Sequence, residues 1–158
     1  MNKRRGTRRW GFSLLEVVIV VAIIAILAAI GIPRMSRGSR GAGDSALGAN
    51  LAVLRNAIDL YSAEHQGSYP TATGIVSQLT TYTDASGNAQ AGKDTTHLYG
   101  PYVRSIPPLP VGAKKGGTGI DVADGNNVGW IYTEGTGSVK ANTTPLEKDD
   151  TGKLYSAY

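Results

Sequence analysis

The stretch Gly11-Phe12-Ser13-Leu14-Leu15-Glu16, continued by the apolar run 17–32, decides how this 158-residue chain is read. Five basic residues, Lys3, Arg4, Arg5, Arg8 and Arg9, precede it, and from Phe12 to Ile32 there are 21 residues with one charge, Glu16. As a helix these residues reach about 31 Å at 1.5 Å per residue, close to the thickness of bilayer hydrocarbon. Length and apolarity therefore predict a membrane helix. A carboxylate within such a span costs on the order of 2.5–3.5 kcal/mol at the centre and less near an end, where Glu16 stands. A positively charged partner offsets that cost, so the acid asks for one.

These residues resemble the prepilin-type cleavage and methylation motif of type IV pilins and type II secretion pseudopilins. Shared features are the basic leader, the Gly-Phe junction, the glutamate four residues beyond it, and the uninterrupted apolar helix. The resemblance implies that a membrane peptidase cuts between Gly11 and Phe12, that Phe12 becomes the N-methylated mature terminus, and that Glu16 pairs with the Phe12 amine of a neighbouring subunit. It implies a pilin-like α+β fold: a long N-terminal helix, transmembrane in its first half and amphipathic in its second, carrying a small antiparallel sheet. Implied partners are further copies of the chain in a helical filament, a prepilin peptidase/methyltransferase and the inner-membrane assembly proteins of a secretion system. Two plainer readings compete, an ordinary signal anchor whose Glu16 snorkels to the headgroups and a cleaved secretory signal. The run exceeds the 7–15 apolar residues, roughly, of a typical secretory signal.

The formal charge of +4 misleads. Taking the five leader cations from the 16 Lys and Arg leaves 11 against 12 Asp and Glu, a side-chain charge of −1. A nearly neutral mature chain gives no electrostatic footprint for nucleic acid. The leader cations place the N-terminus in the cytoplasm and the C-terminal region in the periplasm of a bacterial inner membrane, although Arg34, Arg37 and Arg40 follow on the far side. There is no cysteine, so packing, turns or a bound ion must hold an exported domain together. Many type IV pilins close a C-terminal loop with a disulfide; its absence favours a pseudopilin over a type IV pilus subunit. A membrane-tethered exported binding module that does not polymerise is the alternative from another class.

Organisation along the chain follows from composition: a leader at 1–11, a transmembrane or filament-core helix at 12–33, an amphipathic helix at 34–66 and an exported α+β region at 67–158. Pro33 predicts a helix kink, or simply the end of the membrane helix, because it lacks an N–H and crowds the preceding turn. Residues 34–45 are polar and glycine-rich, which predicts a weakened helix with room for a break. Leu47, Leu51, Leu54, Ile58 and Tyr61 then recur at helical spacing, widened by Val53, Ala57 and Leu60. Gly67 and Pro70 stop that helix. Gly67-Ser68-Tyr69-Pro70 resembles the helix-to-loop junction of the type II secretion major pseudopilin. Beyond it, Ile75, Val76 and Leu79 predict a short helix, residues 80–98 a polar excursion turning at 84–88, and residues 99–110 a proline-stiffened extended chain. Residues 111–127 read as loop. Residues 128–133 and 138–142 read as strands joined by Glu134-Gly135-Thr136-Gly137, with Trp130 and Tyr132 on one face covering the helix. In the final segment Leu154 or Tyr155 is the expected anchor.

No catalytic constellation is present: there is no cysteine nucleophile, no Gly-x-Ser-x-Gly and no His-Glu-x-x-His, and His65 and His97 share no evident site. An enzyme is not expected. The run 116–127, with Asp121, Asp124 and Asn126 among glycines, is similar to the calcium-binding loop of major pseudopilins. Carboxylates beside glycine-turned carbonyls supply the oxygens that calcium needs. A solvated turn-rich loop is the plainer reading. The Asp spacing departs from the family's pattern, and Trp130 starts a strand here rather than ending the chain.

Overall fold

The computed structural model describes residues 11–158, with the side chains of residues 31–39 outside the described set. The chain divides into two units, Met1–Gly38 and Ser39–Tyr158. Helix α1 is Leu14–Glu64. Pro33 lies within it, so the reading in which that proline ends the helix does not hold, and a kink there falls outside the described residues. The break allowed for at 34–45 is also not seen. Part of the reason lies at Gly43, where an added Cβ would stand 3.2 Å from Val111 Cγ1: the glycine lets the segment at 110–111 approach the helix. The helix stops at Glu64, ahead of Pro70, with Gln66 (φ 57°) and Gly67 (φ 86°) both left-handed and the Gly67 N–H donating to Ser62 O at 2.8 Å.

In the second unit, the stripe Leu47, Leu51, Leu54, Ile58 and Tyr61 is buried as expected, along with Ala57. Val53 and Leu60 are not part of it: they stand 47% and 52% exposed on the other side of the helix. Each fully buried leucine contributes about 1.5–3 kcal/mol relative to remaining in water. The stripe packs against Ile75 and Leu79 of α2 (Ile75–Thr80), Ile106, Leu109 and Val111 of the extended segment, and the inner face of a sheet.

That sheet has three strands in the order β3-β4-β5, where β3 is Gly119–Asp121, β4 is Val128–Thr133 and β5 is Ser138–Ala141. β4 and β5 pair antiparallel with Trp130 opposite Ala141 and Tyr132 opposite Val139, four buried residues on one face as the period of two requires. Their connection is a 3-10 turn at Glu134–Thr136 closed by left-handed Gly137. The expected all-antiparallel sheet is corrected by β3, which pairs parallel to β4, so the sheet is mixed. Residues 111–127 are accordingly not all loop. A three-residue strand is too short to display alternation in sequence. What admits it is a close approach of backbones: a Cβ on Gly129 would sit 2.1 Å from Gly117 O. A separate two-stranded ladder, β1 (Tyr82–Thr83) with β2 (Ala89–Gln90), frames the turn at 84–88, whose Asp84 Oδ1 accepts the N–H groups of Ser86 and Asn88.

Two long-range ties close the unit. Tyr155, not Leu154, is the buried anchor of the C-terminal segment, and its hydroxyl donates to Asp44 Oδ1 at 2.7 Å. Arg55 on α1 donates to the carbonyl oxygens of Val139 and Tyr158.

Candidate functional site

The residues around the Gly-Phe junction are built by helix-end chemistry. Residues 11–13 are non-helical and exposed, and α1 begins at Leu14, so the Gly11–Phe12 peptide bond lies outside the helix. Ser13 Oγ accepts the Leu15 N–H at 3.3 Å, while Glu16 Oε2 accepts the Ser13 N–H at 3.1 Å. Serine at the cap and glutamate three residues on satisfy orphan donors of the first turn reciprocally. This capping role is a second use of Glu16 beyond the partner its burial in lipid would demand. The pattern Ser-x-x-Glu ahead of an apolar run is the signal that reveals it in the sequence.

From Phe12 to Ile30 the large apolar residues are all between 50% and 86% exposed. Because successive positions on a helix step by 100°, such a run presents apolar surface on every side and has no polar face to turn to water. Residues 10–32 match the family model described as the prokaryotic N-terminal methylation motif. The chain carries a prokaryotic N-terminal methylation motif. That motif indicates a type IV pilin-like, exported or membrane-associated subunit, and it contains the Gly11–Phe12 junction and Glu16. No curated protein and no solved structure matches the chain. Among the described residues no helix is long and apolar enough to cross a membrane; the apolar run extends into residues 31 and 32, whose side chains lie outside that set.

The candidate calcium loop does not assemble a hard-cation cage. Among the described residues no group of three or more His, Asp or Glu side chains gathers at one point. Asp121 ends β3 and its Oδ1 accepts the N–H of Val122 at 2.6 Å. Asp124 Oδ1 receives the Lys114 ammonium at 2.8 Å and the Asn142 side-chain N–H at 2.8 Å. These two donors hold the Asp124 carboxyl below the usual range, the lysine contributing most. Asn126 is exposed. Calcium asks for six to eight oxygens at 2.3–2.6 Å, and the group facing Asp124 from Asn142 is an N–H, so these residues do not fit the ion.

Each histidine holds a turn in place. His65 is buried and stacked on Tyr61 at 3.9 Å, with Nδ1 facing Tyr61 O and Nε2 facing Asp84 O, both at 2.9 Å, which ties the end of α1 to the 84–88 turn. His97 closes a local turn on Asp94, whose carboxyl is held well below its ordinary range chiefly by the backbone N–H of His97.

Proposed function

We propose that this chain is a structural subunit of a pilus-like filament, a pseudopilin of a type II protein secretion system rather than an enzyme. In this reading a prepilin peptidase/methyltransferase cuts between Gly11 and Phe12 and methylates the Phe12 amine. Before assembly the apolar part of α1 sits in the bacterial inner membrane, N-terminus inward and the C-terminal unit in the periplasm. After extraction by the inner-membrane assembly proteins of the secretion system, apolar helices of successive copies pack together. Glu16 of one copy then pairs with the Phe12 ammonium of the next, two charges that would otherwise be poorly solvated.

The observation that carries this reading is the pairing of a matched methylation motif with a helix segment that is apolar on every side and bears one acid. Such a surface is satisfied by lipid first and by identical helices afterwards. Absence of cysteine favours the pseudopilus over a disulfide-closed type IV pilus subunit. The test is incorporation of Glu16→Ala subunits into filaments, with membrane insertion as the control. Loss of incorporation with normal insertion is expected; unchanged incorporation overturns the filament reading and leaves a membrane-tethered module.

A further inference from the structure

The loop between β3 and β4 has an unusual task. Parallel strands ordinarily need a crossover of a dozen or more residues, but here residues 122–127 return the chain in six. The short return is possible because β3 has only three residues, Asn127 takes the left-handed conformation (φ 57°), and Gly119 N–H donates to Asn127 O at 2.8 Å. Folding back this tightly turns two oxygens toward the same point, Asp124 Oδ1 and Gly125 O. Both face the Lys114 ammonium, at 2.8 and 3.2 Å.

Neighbouring segments fix both partners. Lys114 lies in a turn whose preceding residue, Ala113, donates its N–H to Glu147 Oε1 at 2.6 Å, and whose Lys114 carbonyl accepts Gly117 N–H at 3.0 Å. Asn142, buried just beyond β5, donates from Nδ2 to Asp124 Oδ1 at 2.8 Å and to Val128 O at 2.7 Å. Both of those partners are acceptors only, which fixes the orientation of the amide. Three segments of chain thus converge on a carboxylate and a carbonyl, and the positive charge at their meeting point is covalently attached.

We propose that the Lys114 ammonium is the built-in cation of the 122–127 loop, filling the role a bound divalent ion would otherwise have, so that the loop folds without metal. An ammonium suits this geometry: it is a compact charge with three donors, two of them used here, and it tolerates an oxygen count far below that of calcium. The Asn142 N–H shares Asp124 Oδ1 with the ammonium; it is compatible with a carboxylate already neutralised by lysine and repels a metal ion placed at that oxygen.

The test uses the full chain in detergent micelles, read by thermal unfolding and by amide hydrogen exchange over residues 122–127, with EDTA and with added calcium chloride. Neither addition is expected to change Tm or exchange. Lys114→Met should lower Tm by about 1–4 °C and speed exchange of the loop several-fold, Lys114→Arg should preserve most of the protection, and adding Asp124→Asn to Lys114→Met should cause no further loss. A Tm raised by calcium or lowered by EDTA in the unaltered chain overturns the proposal. So does loop exchange in Lys114→Met equal to that of the unaltered chain. Both readouts are independent of filament assembly, so this outcome and that of the Glu16 experiment are separable.

Discussion

The backbone N–H of Ser13 donates to the Glu16 carboxylate at 3.1 Å. The same side chain therefore ends a helix within one chain and, in the filament reading, meets a charge on another. Glutamine at this position retains an acceptor for the cap but has no charge. Glu16→Gln should keep the first turn of α1 as protected from amide exchange as in the unaltered chain, yet fail to enter filaments. Glu16→Ala should lose both, with first-turn exchange rising several-fold. Filament entry by Glu16→Gln at normal levels would show that the charge is dispensable.

Trp130 is fully buried, and its Nε1–H donates to Pro107 O at 2.8 Å, joining β4 to the extended segment. Trp130→Ala should destabilise the second unit by about 3–5 kcal/mol through the cavity it leaves. Trp130→Phe keeps much of the packing and loses the hydrogen bond, for about 1–2 kcal/mol. Denaturant unfolding of the full chain in detergent measures both, and a Trp130→Phe variant as stable as the unaltered chain would contradict the assigned hydrogen bond.

Two glycines in the sheet region should be intolerant for different reasons. At Gly129 an added Cβ would meet Gly117 O at 2.1 Å, a clash of backbone with backbone that separates β4 from the 116–117 turn. At Gly137 the left-handed φ of 65° and the Tyr69 ring, 2.4 Å from an added Cβ, both oppose a side chain. Gly135→Ala is the control, since nothing lies within 4 Å of its added Cβ. Gly129→Ala and Gly137→Ala should lower Tm well beyond Gly135→Ala; three similar values would disprove the close approach.

The Asp149–Tyr158 hydrogen bond should make the C-terminal segment sensitive at both ends of the pH scale. The bond from Tyr158, with that from Thr151, holds the Asp149 carboxyl far below its ordinary range. Its stabilisation is present above the unfolded carboxyl value of about 3.9 and is lost as pH falls through the lower folded value. For Tyr158 the bond to Asp149 raises the phenol to about 12. Stability therefore declines as pH rises above the unfolded tyrosine value of about 10, as the unfolded state releases the proton first. Tyr158→Phe should remove the alkaline step contributed by this residue and flatten the acid step, measured as Tm against pH.

Much of this fold is legible along the chain because the elements concerned are long or strongly periodic. The stripe from Leu47 to Tyr61 spans four turns, and the alternation through Trp130 and Tyr132 fixes both the strand and its buried face. β3 was not legible, since three residues, Gly119–Asp121, carry no period and owe their strand conformation to the glycines that let β4 come near. The polar run 34–45 misled for the complementary reason: propensity counts the entropic cost of its glycines but not the packing of Val111 against Gly43.

The site divides in the same way. Local order in the chain by itself determined the Gly11–Phe12 junction, the lone acid at Glu16 and the apolar helix behind them, because a cleavage motif and a hydrophobic span are contiguous and need no folding to exist. Only the tertiary structure decided what the 116–127 segment does with its acids. Lys114, Asp124 and Asn142 come together from three separate segments, and spacing along one of them says nothing about which atoms, N–H or oxygen, the others will point at Asp124.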